Sequence, residues 1–350
     1  MLKLTSRRIG VPALTRLPTC FFLAFFSFSL VHSDLFGARG SGEVPTPSPS
    51  AEAEYVILFV LEGVSHDSLK SGQMPVLNKL ATDGSTTWSA TLGQPALRLP
   101  LMASLLTGVS AERHGVTWNA FEFSRGYPRA PTVFDYLDLS GGRDSAIFFM
   151  DESLYQLAKP EPYTDYQMCG PLRPECNTGK LISYVRDYFK KASSGHGYGH
   201  AILSLPHFLV VHLPAPGRAG EAQGWKSGEY RDALKTVDKA MGAVLDLYRE
   251  LNLLKRTTIF VTSLSSVGES GISGSEASAD HATEARRVPW IASGVGIKKG
   301  HAITQSVSLL DTGATVMRAL GLETHTEWDS HAIEEIFKTA SSNAISSKHP

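Results

Sequence analysis

Cys169 and Cys176 flank a Pro-containing loop, CGPLRPEC, and two thiols so placed either close a disulfide or remain as free loop cysteines. His196, His200, His207 and His212 crowd around one apolar run, a composition that suggests metal binding. Their spacing is not that of a zinc site, and His212 reads as a strand residue holding a hydrogen bond. The run Gly268-Glu269-Ser270-Gly271 is one residue short of the G-x-S-x-G turn that exposes a serine nucleophile, so it reads as a flexible loop. A Ser/His/Asp set is assembled in space and not in chain order, and nothing in the order of this chain marks one.

The elements that position such groups follow from hydrophobic patterning. Continuous apolar runs at Tyr55–Leu61, His207–Leu213 and Thr257–Thr262, with a shorter one at Pro289–Ala292, read as buried parallel strands. Helices are expected at Pro75–Asp83, Leu101–Leu106, Glu229–Leu251 and Asp311–Leu320. The third places Leu234, Val237, Met241, Val244, Leu245, Tyr248 and Leu251 on a 3.6-residue period. This alternation predicts an α/β sheet covered on both faces, whose ligands would sit beyond the carboxyl ends of the strands.

The 350 residues are 42% hydrophobic with a formal charge of −1, enough for one large core or two modest ones. No basic run or broad positive field suits nucleic acid, so that partner is not expected. Lys3, Arg7, Arg8 and Arg16 precede the apolar stretch Cys20–Val31, and Ser33 ends a plausible cleavage site. Residues 1–33 are therefore expected to be an export signal, with an uncleaved membrane anchor as the alternative, since the run is short for a bilayer of roughly 30 Å. Export would put Cys169 and Cys176 in an oxidising compartment. Residues 34–54, rich in Gly, Pro and Ser, read as a linker, and residues 339–350 as a frayed tail.

Read in order, VILFVLEGVSHDSL, MPVLNKLATDG, LRLPLMASLLTGVSAERHGVTWN, VVHLPAPGRAGEAQG, TTIFVTSLSSVG, VPWIASGVGIKKG and LLDTGATVMRALG share a pattern. The series, spanning Tyr55 to Ile336, resembles the type I phosphodiesterase/nucleotide pyrophosphatase branch of the alkaline phosphatase superfamily. The resemblance implies an α/β three-layer sandwich with a mostly parallel central sheet over residues 55–338, and the segment of about 120–199 is expected to be inserted over the sheet's carboxyl edge. It also implies chemistry in which two divalent ions held by Asp and His activate a Ser or Thr at a helix N-terminus.

Carried over position by position, that chemistry meets the wrong residues. The first metal-binding aspartate falls on Glu62 and the nucleophile on Arg98, whose guanidinium neither attacks phosphorus nor binds a cation. The next metal Asp and His fall on Gly217 and Glu221, and another Asp-His pair on Leu264 and Ser265. His281 comes into register for the last ligand only with a local gap. Glu62, Glu221 and His281 are thus the remaining candidate metal ligands. Glu112 and His114 match a family motif and suit a structural role.

Arg98 has three readings: a charge replacement paired with Glu62 or Glu221, an anion-binding group, or an exposed side chain. The expectation is an exported, metal-free pseudoenzyme without cofactor, acting through a protein partner or a phosphorylated or anionic ligand. The alternatives are a phosphodiester or phosphomonoester hydrolase with an altered Zn or Mn site, and a structural component of an envelope assembly.

Overall fold

Strand β1 (Tyr55–Leu61) is apolar throughout and every residue in it is buried, because it has neighbours on both edges and layers on both faces. The computed structural model describes residues 52–141, 143–159, 166–168, 176–195, 204–266 and 287–339. In chain order the further strands are β2 (Ser85–Thr91), β3 (Ser145–Phe148), β4 (Tyr166–Met168), β5 (Phe208–Leu213), β6 (Thr257–Ser263), β7 (Arg287–Gly294) and β8 (His301–Ala302). They form one eight-stranded sheet in the order β4-β3-β5-β1-β6-β7-β2-β8. β1 lies parallel between β5 and β6, and β7 runs antiparallel to both β6 and β2.

Alternation along β1 builds the two outer layers. Val56, Leu58 and Val60 join a core with helix α3 (Arg98–Thr107), α5 (Val133–Leu139) and α9 (Asp311–Ala319). Ile57, Phe59 and Leu61 join the opposite core with α2 (Pro75–Thr82), α6 (Thr178–Ser193) and α8 (Gly228–Glu250). The periodic stripe of α8 from Leu234 to Tyr248 lies in this second core, as its spacing predicts. Three shorter helices, α1 (His66–Lys70), α4 (Ala111–His114) and α7 (Ala215–Gln223), follow strand or helix ends.

Two expectations need correcting. The described residues of segment 120–199 do not form an insertion above the sheet: they supply α5 and α6 to opposite layers, and β3 and β4 form one edge of the sheet itself. Those strands have four and three residues, too short for a hydrophobic pattern to announce them. The linker boundary also moves, since Ala53 N–H already donates to Ala319 and Glu54 N–H to Arg256 ahead of β1. The export signal and the tail from residue 340 lie outside the described residues.

Candidate functional site

Glu62 directly follows β1 and Arg98 opens α3, so a strand end and a helix start face each other across the sheet's carboxyl edge. Arg98 Nε lies 2.5 Å from Glu62 Oε1 and Nη2 lies 2.8 Å from Oε2, a forked charge-assisted pair. Its third nitrogen, Nη1, donates to Asp151 Oδ2 at 2.9 Å. Asp151 sits just past β3 and also accepts from Ser153 N–H and Oγ, at 3.0 and 2.6 Å. Arg218 of α7 reaches the same Asp151 oxygen at 3.2 Å and the Met150 carbonyl at 2.5 Å.

His212 completes the cluster from β5, where it pairs in register with Val60 of β1. Its Nδ1 accepts from Met150 N–H at 3.4 Å, which leaves Nε2 to donate to Glu62 Oε1 at 2.7 Å. Two carboxylates thus face two guanidiniums, with Arg98 joining Glu62 to Asp151 and the imidazole held on Glu62. Burial pushes the Glu62 carboxyl up, but the hydrogen bonds and charges of Arg98 and His212 outweigh it and hold it at about 2. Asp151 is likewise held below its ordinary value, burial being outweighed by the Ser153 hydrogen bonds and the Arg98 charge. For Arg98 burial works against the charge, and the bond to Glu62 more than restores it, so the guanidinium stays protonated.

The backbone around the cluster is closely packed. Gly63 adopts φ +68°, and a Cβ there would lie 2.6 Å from the Gly217 Cα. A Cβ on Gly217 would in turn lie 2.9 Å from Glu62 Cβ. The Gly63 N–H donates to Ser265 at both its Oγ, 2.9 Å away, and its carbonyl, 3.1 Å away. Leu264 turns into the core on the α3 side and is 3% exposed. At the start of α3, Asn119 Oδ1 accepts the Leu99 N–H at 2.9 Å, capping a donor that a helix N-terminus otherwise offers to an anion.

The sequence-derived candidates separate accordingly. Glu62 and Arg98 meet directly, whereas Glu221 is exposed on α7 and acts on Arg98 through its charge alone. His281 and Cys169 lie outside the described residues, as do His196, His200 and Gly268–Gly271. Cys176 is disulfide-bonded. His114 is fully buried between Ser104 Oγ at 2.9 Å and the Val116 N–H at 3.1 Å, a structural placement, and Glu112 accepts from Ser110 Oγ at the surface. No group of three or more His, Cys, Asp or Glu residues is arranged to hold a metal among the described residues.

Sequence reasoning missed Asp151 and Arg218 and left His212 as an isolated strand residue. The signal for Asp151 was present: the apolar run AIFFM ends in it, as the first strand ends in Glu62.

Two buried groups make stability fall with acid. Burial lowers His114 to about 4, so as pH drops below its unfolded value of 6.5 the unfolded chain takes a proton that the fold refuses. Glu62, depressed from 4.5 to about 2, contributes fully above pH 4.5 and loses that contribution as pH falls toward 2. Each window is worth about 3 kcal/mol at 1.36 kcal/mol per pH unit. Urea midpoints should be level from pH 7.5 to about 6.5 and decline from there to pH 3, and His114→Gln should flatten the limb between 6.5 and 4. An unchanged slope in that variant rejects the assignment.

A mostly parallel sheet between two helical layers, with charged residues gathered at the ends of β1, β3 and β5, defines an alkaline phosphatase-like protein. The chain belongs to the type I phosphodiesterase/nucleotide pyrophosphatase family, whose profile matches residues 56–264. It is 23% identical over 235 residues to ectonucleotide pyrophosphatase/phosphodiesterase family member 1 of Mus musculus, covering 63% of this chain and 25% of that protein. The chain therefore spans about a quarter of the length of that curated relative.

Among solved structures it is similar to murine ectonucleotide pyrophosphatase/phosphodiesterase 5, inactive and in complex with AMP. The TM-score is 0.60 at 11% identity, over 81% of this chain and all of that one. A 2-O GAG sulfatase matches with a TM-score of 0.61 at 14% identity, over 81% of this chain and 73% of that one. These structural likenesses carry the fold.

Proposed function

We propose that this chain is a family member without phosphoryl-transfer chemistry, an exported binding protein that keeps the family's fold and uses no metal. The observation that carries the reading is Arg98 at the nucleophile position, its guanidinium held by both oxygens of Glu62 and by Asp151. A fixed cation there neutralises the carboxylate that would otherwise ligate the first ion. The residues present do not fit a two-metal centre. Glu62 already accepts from Arg98 and His212, and Gly217 stands too close to Glu62 to carry a side chain.

Recognition of a protein partner or an anionic ligand is supported by apolar side chains left open to solvent. Leu97, next to Arg98, is 40% exposed. Phe123 is 87% exposed on the 3-10 turn Phe123–Arg125, which Gln156 ties down through the Glu122 and Gly126 carbonyls.

Purified protein should carry well under one equivalent of zinc or manganese by elemental analysis. It should hydrolyse bis-p-nitrophenyl phosphate no faster than buffer containing either ion. Two bound ions per chain with metal-dependent turnover would reinstate a hydrolase with an altered site.

The export reading rests on the basic and apolar N-terminal residues, and the curated relatives it matches are named ectonucleotide enzymes. Among the described residues no helix is long and apolar enough to cross a membrane. N-terminal sequencing of the protein from its native compartment should begin at Asp34. A chain beginning at Met1 in the membrane fraction would favour the anchor.

A further inference from the structure

Helix α3 ends at Gly108 in the left-handed conformation, ten residues and roughly 15 Å from the Arg98 cluster at its other end. Here the loop after α9 is clamped on: Asp329 and Ser330 N–H groups both donate to the Gly108 carbonyl, and Asp329 Oδ2 accepts the Ser110 N–H. Trp328 packs so tightly on Gly108 that a Cβ there would lie 2.5 Å from the indole. Between this loop and the segment 129–136 lies a cavity of about 210 Å³.

The lining joins two chemistries. Tyr136 has its ring centroid 5.3 Å from that of Trp328, edge to face, and 5.3 Å from that of His325. Arg113 and Arg129 supply positive charge, and Glu327 contributes a carboxylate. Arg113 is held by Asp329 at 2.5 Å. Arg129 lies along Gly115, where a Cβ would come within 3.0 Å of its Nε, and its guanidinium has no hydrogen bond or ion pair among the described residues. Arg129 is exposed at the mouth of this cavity, and an unpaired guanidinium beside aromatic faces suits an oxyanion attached to a ring, through forked hydrogen bonds and stacking. The cavity is smaller than the ~300–1,000 Å³ typical of drug-sized ligands, which limits the ligand to about one ring.

We infer that this cavity is a second binding site, separate from the Arg98 face, for a small ring carrying a phosphate or sulfate group, with Arg129 as its anion-binding residue. The Trp328 wall is fixed by the Gly108 and Asp329 contacts, so that side of the cavity needs little ordering on binding, whereas Arg129 is ordered by the ligand.

Isothermal titration of the full chain with phenyl phosphate and with phenyl sulfate tests the site, each ester reporting which oxyanion it prefers. At least one should bind saturably with a Kd of about 1 mM or below, and inorganic phosphate should bind at least about tenfold more weakly. Arg129→Gln should raise the Kd about tenfold or more, and Arg129→Lys by less, whereas Arg249→Gln, which removes an exposed guanidinium on α8, should leave it unchanged. Circular dichroism checks that each variant is folded. Absence of saturable binding by both esters, equal binding of inorganic phosphate, or an unchanged Kd in folded Arg129→Gln would overturn the proposal.

Discussion

Arg98→Met should destabilise the fold by about 3–5 kcal/mol, the usual cost of removing one partner from a buried ion pair. The substitution keeps an unbranched side chain of similar reach while removing three donors, two to Glu62 and one to Asp151. Glu62 is 4% exposed, so its charge would be left with His212 as its remaining polar partner. Asp151 keeps Arg218 and Ser153, and the loss should therefore concentrate on Glu62. The double variant Arg98→Met/Glu62→Gln removes the stranded charge as well and should recover more than half of the deficit. Denaturant unfolding of the three proteins measures both steps. A single variant within about 1 kcal/mol of the parent would show that the pair is not what closes the site.

Gly63→Ala should be nearly as damaging, at about 2–5 kcal/mol, combining a left-handed backbone penalty with overpacking. The new methyl carbon would meet the Gly217 backbone at 2.6 and 2.7 Å and the Trp225 ring at 2.9 Å. Gly72 provides the control, because its φ of +69° is almost the same and nothing lies within 4 Å of the added carbon. Gly72→Ala should therefore show only the backbone part, about 1–2 kcal/mol. Equal unfolding midpoints for the two variants would mean that the turn after β1 and the start of α7 are not in firm contact.

The parts of the fold legible in the sequence are those whose burial is continuous or periodic. β1 and β6 announce themselves as apolar runs, and α8 by a stripe that one core absorbs. β3 and β4 stay hidden because their places are set by pairing with β5 and each other, and four residues carry too little pattern. β2 is concealed differently: Ser85-Thr-Thr-Trp-Ser-Ala-Thr91 is polar by composition yet lies between β7 and β8.

At the site, Glu62 and Arg98 are legible because the family resemblance draws attention to the ends of the first strand and the following helix, where an arginine is out of place in the chemistry it implies. The meeting of Arg98 with Asp151, and of Glu62 with His212, depends on β3, β5 and β1 being neighbours in that order. No local spacing encodes that order. Arg129, without a side-chain partner among the described residues, was equally silent, since an arginine in sequence looks the same whether or not a partner faces it.

The seam between Gly63 and Gly217 has a consequence for redesign. Placing a carboxylate-bearing side chain at 217 beside Glu62 takes two changes, at Arg98 and at Gly217. Taking the arginine first strands Glu62, and adding the carboxylate first forces apart Glu62 and the α7 backbone. Either step alone costs stability, so the two have to be made together.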